Sequence, residues 1–108
     1  MRFELISILS NTIEKADPCL LTFAVDKAQK PTTLADFIGG RATMTDKHHG
    51  LTMEFDIQAD AEPEVVVLYD GKSKLKFRHH GTLSPGEELK QRNSITEVGY
   101  SYLIREFR

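Results

Sequence analysis

Four histidines occur as two matching pairs, Lys47-His48-His49-Gly50 and Arg78-His79-His80-Gly81. Imidazole is a common zinc ligand and the side chain that titrates nearest neutrality, so metal binding and pH-sensitive contact are the chemistries to weigh first. Neighbouring side chains on a strand point to opposite faces, so neither pair chelates easily by itself. A meander over residues 41–80 puts His48 and His49 beside the Asp70-Gly71 turn. It puts His79 and His80 seven residues further along, roughly 23 Å away at about 3.3 Å per residue. Asp46 or Asp70 could join His48 or His49, but that would make only a weak site of two or three ligands. No metal and no cofactor is expected, and His48, His49, His79 and His80 are read as ligand or pH-sensitive contacts at loop ends.

Nucleophilic catalysis needs a serine or cysteine beside a histidine and an orienting acid. Cys19 follows Pro18 at the start of an apolar run, where a thiol behaves as a small buried hydrophobe. The carboxylates Glu54, Asp56, Glu62, Glu64, Glu87, Glu88 and Glu97 are spread along the chain, with no close pair in apolar surroundings. The reading leans away from an enzyme. Lys72, Lys74, Lys76 and Arg78 form a basic stripe that could hold phosphates. Glu54 and Asp56 share its alternation, so strands lying side by side would cancel it. Nucleic-acid binding is therefore disfavoured and kept only as a third reading.

The stripe belongs to the segment that organises the chain, Glu64 to His80. Asp70-Gly71 between two β-favouring runs is a hairpin signal, since a tight primed turn needs positive φ. A two-residue loop would pair Tyr69 with Lys72, Val67 with Lys74 and Val66 with Leu75. Val66, Leu68, Leu75 and Phe77 then face a core. Val65, Val67 and Tyr69 face away, beside Lys72, Lys74 and Lys76. An apolar strand beside a cationic one suits a partner with an apolar centre and an acidic rim.

The remaining elements follow from periodicity. Leu5, Leu9, Ile13 and Ala16 recur at helical spacing over residues 2–16, ended by Asp17-Pro18, and predict an N-terminal helix. A strand over Arg2 to Leu9 is the competing reading. Cys19 to Val25 reads as a covered strand. Thr33 to Asp36 begins a short helix that Gly39-Gly40 ends. Arg41 to Thr45 and Leu51 to Gln58 form a second hairpin, with Leu51, Met53, Phe55 and Ile57 on one face. Ser84-Pro85-Gly86-Glu87 has capping-box spacing and predicts one or two helical turns up to about Arg92. Residues 94–107 fit strand or helix, and their Val, Tyr and Ile content favours strand.

One hundred and eight residues make one domain, 1–108, and 40% hydrophobic with 28% charged residues is an ordinary globular composition. A net charge of −2 gives no global attraction to nucleic acid or anionic membrane. No apolar run reaches the roughly 20 residues of a membrane span. Glu4, Ser7, Ser10 and Asn11 interrupt the start, and the single cysteine allows no intrachain disulfide, so a cytoplasmic setting is expected. The sum predicts an α+β domain, an N-terminal helix packed on a mainly antiparallel, curved sheet of five to six strands, or a small open barrel. Its expected role is that of a small binding protein acting through a protein partner or as a homodimer. The expected interface is Val65, Val67, Tyr69, Lys72, Lys74 and Lys76. The alternative is an enzyme or small-molecule binder with a pocket between helix and sheet, where Tyr100, Tyr102 and a histidine supply the polar groups.

Overall fold

A computed structural model describes residues 1–9, 19–46, 50–93 and 99–108. Eight strands run antiparallel in simple sequence order and close into a barrel: β1 (Arg2–Leu9), β2 (Cys19–Asp26), β3 (Arg41–Asp46), β4 (Leu51–Ala59), β5 (Val65–Tyr69), β6 (Lys74–Arg78), β7 (Glu88–Asn93) and β8 (Gly99–Phe107). The α+β expectation is thereby corrected. Among the described residues no helix packs on a sheet, the strands number eight rather than five or six, and pairing of β1 with β8 leaves no open edge.

The predicted N-terminal helix is strand β1 over Arg2–Leu9; the rest of that prediction, residues 10–16, lies outside the described residues. Leu5 and Ser7 point inward and are fully buried, while Glu4, Ile6 and Ile8 alternate with them. The helical turns predicted after Ser84 are also corrected. Pro85-Gly86 makes a turn, and Glu88–Asn93 is a strand with Leu89 and Gln91 buried between exposed Glu88, Lys90 and Arg92. From Gly99 to Phe107 the tail is strand β8, as its composition favours; residues 94–98 lie outside the described residues. A bulge lies where Ser7 pairs with Ile104 but Ile6 with Glu106. The extra residue, Arg105, turns Phe107 back onto the inner side.

The β5–β6 hairpin is present with a longer loop than expected. Tyr69 pairs with Lys74, Val67 with Lys76 and Val66 with Phe77, so Asp70–Ser73 forms the turn. Asp70 Oδ1 accepts the Lys72 and Ser73 N–H groups at 2.9 and 2.7 Å, an Asx-type turn, and Gly71 supplies φ 99°. The register differs from the expected one by two residues, which preserves every side chain's face. Val66, Leu68 and Phe77 are accordingly fully buried.

One end of the barrel is closed by the β2–β3 connection. Its 3-10 turn, Leu34–Phe37, inserts Leu34 and Phe37 into the core. The Asp36 carboxylate accepts the Thr32 and Thr33 N–H groups at 2.9 and 3.0 Å, which fixes the start of this plug. From the plug a chain of edge-to-face rings runs up the interior: Phe107, Phe37, Phe23, Phe77 and Tyr102, with successive centroids 5.4–6.2 Å apart. Leu5, Leu21, Phe55, Leu68, Leu89 and Ile104 pack around it. An eight-stranded barrel is just wide enough for side chains to fill.

Charged residues decorate the outer wall. Arg41 on β3 reaches Asp56 at 2.6 Å and Glu54 at 3.3 Å on β4. Glu54 and Asp56 therefore pair with β3, and β5 separates them from the lysine strand they were expected to neutralise. Among the described residues no helix is long and apolar enough to cross a membrane.

Five carboxyl groups are held below their ordinary values by hydrogen bonds that tie loops together. The backbone N–H of Thr32 does this for Asp36, that of Glu62 for Asp60 and that of Ser73 for Asp70. The His80 side chain and the Gly81 N–H act on Glu64, and the Ser84 side chain followed by His79 on Glu87. Depressed folded values mean that the unfolded chain takes up protons first. The stabilisation is then complete above the unfolded carboxyl range, about pH 4, and is lost as pH falls through the folded values. Thermal melts should be flat from neutrality to about pH 5 and shift downward below about pH 4.

Candidate functional site

At the end opposite the plug, the inner face changes character. Strand alternation puts Leu51 and Met53 on the same side of β4 as buried Phe55 and Ile57, and Tyr100 on the same side of β8 as buried Tyr102. Yet Leu51 is 55% exposed, Met53 41% and Tyr100 50%; apart from Met1, these are the exposed large hydrophobics among the described residues. β4 and β8 lie four strands apart in a closed ring of eight, so the two groups face each other across the barrel.

Polar atoms gather just below this rim. The Tyr102 hydroxyl lies 3.9 Å from Met44 Sδ and hydrogen bonds with Cys19. Burial pushes the Tyr102 phenol well above its ordinary value, with Cys19 adding to the effect. Burial likewise raises the Cys19 thiol, the Tyr102 hydrogen bond opposing it and Asp46 reinforcing it. A thiol so placed stays protonated at neutral pH and is a poor nucleophile. Gln91 is buried on the same inner face, as is Ser7, whose Oγ has no hydrogen-bond partner among the described residues. The inner wall thus grades from aromatic at the plug to mixed polar and apolar at the rim. Of these residues, sequence reasoning named Tyr100, Tyr102 and Cys19. It missed Ser7 and Gln91, which look like surface residues until the strand register is known.

The expected interface residues are placed on the outer wall of β5 and β6, except Lys72, which lies in the turn between them. Val65 and Val67 are buried at 3% and 6% exposure. Each faces a long cation, Arg78 and Lys76 respectively. Lys76 Nζ reaches Asp60 at 3.3 Å and Arg78 pairs with Glu62, so the β4–β5 loop draws both stems over the valines. Tyr69 is half-buried, its hydroxyl donating to the Gly71 carbonyl at 3.1 Å, with Lys74 Nζ 5.7 Å from its ring centroid. Lys72 and Lys74 are exposed. The outer wall therefore presents charge above covered valines.

The histidines separate. His79 is buried near the plugged end, with Nε2 2.6 Å from Glu87 Oε2 and Nδ1 3.3 Å from the Gly81 carbonyl oxygen. His80 is exposed, with Nδ1 2.6 Å from Glu64 Oε2. These contacts tie the β6–β7 loop to its own turn and to the β4–β5 loop. His48 and His49 lie outside the described residues. Among the described residues no three His, Cys, Asp or Glu side chains are grouped to hold a metal. Comparison with protein-family models, curated proteins and solved structures finds no match to this chain.

Proposed function

We propose that the protein is a small binding protein whose barrel takes a compact, largely apolar ligand at the end opposite the 3-10 plug. The observation that carries this reading is the rim itself. Leu51, Met53 and Tyr100 occupy inward positions and are still about half exposed, on the inner face that also carries the buried Tyr102 and Gln91 and the half-buried Cys19. Apolar walls with a few convergent polar groups, in the mouth of a barrel, are the usual composition of a small-ligand site. Tyr102 supplies a directional hydrogen bond and Tyr100 a ring that can cover the ligand. Ligand identity then depends on one hydrogen-bonding group carried on an apolar frame.

The test uses N-phenyl-1-naphthylamine, a neutral apolar dye that fluoresces on leaving water. Saturable one-to-one enhancement is expected. Met53→Asp should weaken binding about tenfold or more, because it puts a charge on the apolar wall, while leaving the melting temperature nearly unchanged, since Met53 is exposed. No saturable binding, or binding that Met53→Asp leaves intact, would overturn the reading. The same exposed rim favours one second reading, burial against another copy of the chain. A dimer by light scattering that Met53→Asp converts to monomer, with no dye binding, would establish that reading instead.

A further inference from the structure

Among the described residues, Ser7 Oγ is the one buried side-chain oxygen or nitrogen without a hydrogen-bond partner. Leaving a buried hydroxyl unmet is costly, so the position needs a reason. Strand register fixes its surroundings. Ser7 pairs with Leu21 on β2 and with Ile104 on β8, both buried hydrocarbons that cannot accept its proton.

The same register sets the depth of Ser7. Tyr102 pairs with Leu9, two residues from Ser7 along β1. Ser7 therefore lies one inward position further from the mouth, about 6.6 Å. Tyr102 stands on β8, yet its hydroxyl meets Met44 on β3 and Cys19 on β2. β1 lies between β8 and β2, so the phenol crosses the inner face of β1 on the mouth side of Ser7. The ring is a cover over Ser7, held by an edge contact with Phe77 and by hydrogen bonds to sulfur, a weak acceptor. Among the described residues, neither the Ser7 nor the Tyr102 hydroxyl has an oxygen or nitrogen to receive its proton.

We propose, building on the mouth site above, that its ligand is an uncharged molecule bearing a carbonyl group, and that Ser7 is the residue that receives the carbonyl oxygen. That oxygen offers the lone pairs that both hydroxyls lack. The ligand enters oxygen first, turns the Tyr102 ring aside and takes the space the ring gives up. The hydrogen bonds surrendered in this movement are to sulfur alone.

Charge argues against an anionic ligand such as a fatty acid. Among the described residues the buried polar side chains are Ser7, Gln91 and His79, and His79 lies near the plugged end. No lysine or arginine is among them to meet a carboxylate, and a buried charge without a partner is very costly. Asp46, at the inward rim position opposite Cys19, is itself an acid. Burial keeps the Tyr102 phenol and the Cys19 thiol protonated, so neither adds a charge.

The experiment displaces N-phenyl-1-naphthylamine from the whole chain with three compounds. They are benzophenone, diphenylmethane, which has nearly the same shape without the oxygen, and the diphenylacetate anion. The quantity read is the ratio of ketone to hydrocarbon affinity, compared between variants so that differences in hydrophobicity cancel. Ser7→Ala should lower this ratio about fivefold, the size of one net hydrogen bond. Its melting temperature should stay the same or rise, because an unmet hydroxyl is gone. Ser7→Cys puts a weaker donor in the same place and should lower the ratio as well. Diphenylacetate should displace the dye about tenfold more weakly than benzophenone, or not at all. A ratio that both variants leave unchanged would overturn the role of Ser7 while the mouth site stands. Displacement by diphenylacetate as strong as by benzophenone would overturn the uncharged class. Failure of the dye itself to bind would overturn this proposal together with the site beneath it.

Discussion

Phe23→Ala should lower stability by about 3–5 kcal/mol, the cost of deleting a buried aromatic ring and leaving much of its volume empty. Phe23 is fully buried at the middle of the ring chain, meeting Phe37 of the plug at 6.2 Å and Phe77 of β6 at 5.7 Å. Its removal breaks the chain into two pieces, so Phe37 of the plug keeps its ring contact with Phe107 but loses the one that leads to Phe77 and Tyr102. Domains of this size hold roughly 5–15 kcal/mol in total, so the variant should be close to half unfolded in mild denaturant. With a slope of about 2 kcal/mol per molar urea, the midpoint should fall by about 2 M. Phe23→Leu keeps much of the volume and should cost distinctly less. Thr22→Ala, one residue away on the outer face, should shift the midpoint very little. A Phe23→Ala midpoint no lower than that of Thr22→Ala would mean that the rings are not a single cooperative core.

The sequence misled where an inward position is polar or an outward one apolar. In β1 the buried set is Leu5 and Ser7, with Leu9 partly buried, while Ile6 and Ile8 lie on the other face. A serine inside and isoleucines outside erase the period of two. What remained visible was Leu5, Leu9, Ile13 and Ala16, a helical stripe that mixes strand residues with others beyond the strand. Pairing of β1 with both β2 and β8 decided the matter, and long-range pairing of this kind overrides local preference. In β7 only Leu89 is an apolar inward residue, and Glu87 imitated a capping acid. Its carboxylate instead takes hydrogen bonds from Ser84 and His79. By contrast β4 was legible, because Phe55 and Ile57 alternate with exposed Glu54, Asp56 and Gln58 and are anchored by a hairpin to β3.

The sites follow the same logic. Val65, Val67, Lys74 and Lys76 share one face as expected, because face depends only on parity, whereas Lys72 falls in the turn. Their burial was not legible, since it depends on Asp60 and Glu62 in a loop that composition alone does not orient. Gln91 could not be brought to the inner wall while residues 85–92 read as helix. Closure of the barrel, too, has no local signature. It joins residues about a hundred positions apart, and Leu5 meets Phe107 only through the accumulated twist of the intervening strands.

Gly39-Gly40 read as the end of a short helix, and the two glycines have different reasons to be glycine. Gly39 has φ 93°, but a side chain there would meet no atom within 4 Å. Alanine should cost only the strain of a left-handed residue, about 1 kcal/mol. Gly40 has no such backbone requirement. A Cβ on it would lie 2.1 Å from the Ala24 carbonyl oxygen and 3.1 Å from that of Phe37. Both obstacles are backbone. Gly40 is also held from two sides, its N–H donating to the Phe37 carbonyl at 3.0 Å and its own carbonyl accepting the Ile57 N–H at 3.1 Å. To admit a methyl group, the plug or the start of β3 must move away from β2, loosening Leu34 and Phe37 together. Gly40→Ala should therefore cost about 3 kcal/mol or more, as severe overpacking does. Urea unfolding followed by circular dichroism gives the ranking, and amide exchange of Asp36 and Ile38 shows whether the plug has loosened. The expected result is a large loss for Gly40→Ala with faster exchange at the plug, and a small loss for Gly39→Ala. If Gly39→Ala proves the more costly, the left-handed turn rather than the approach to Ala24 limits how the barrel closes at this end.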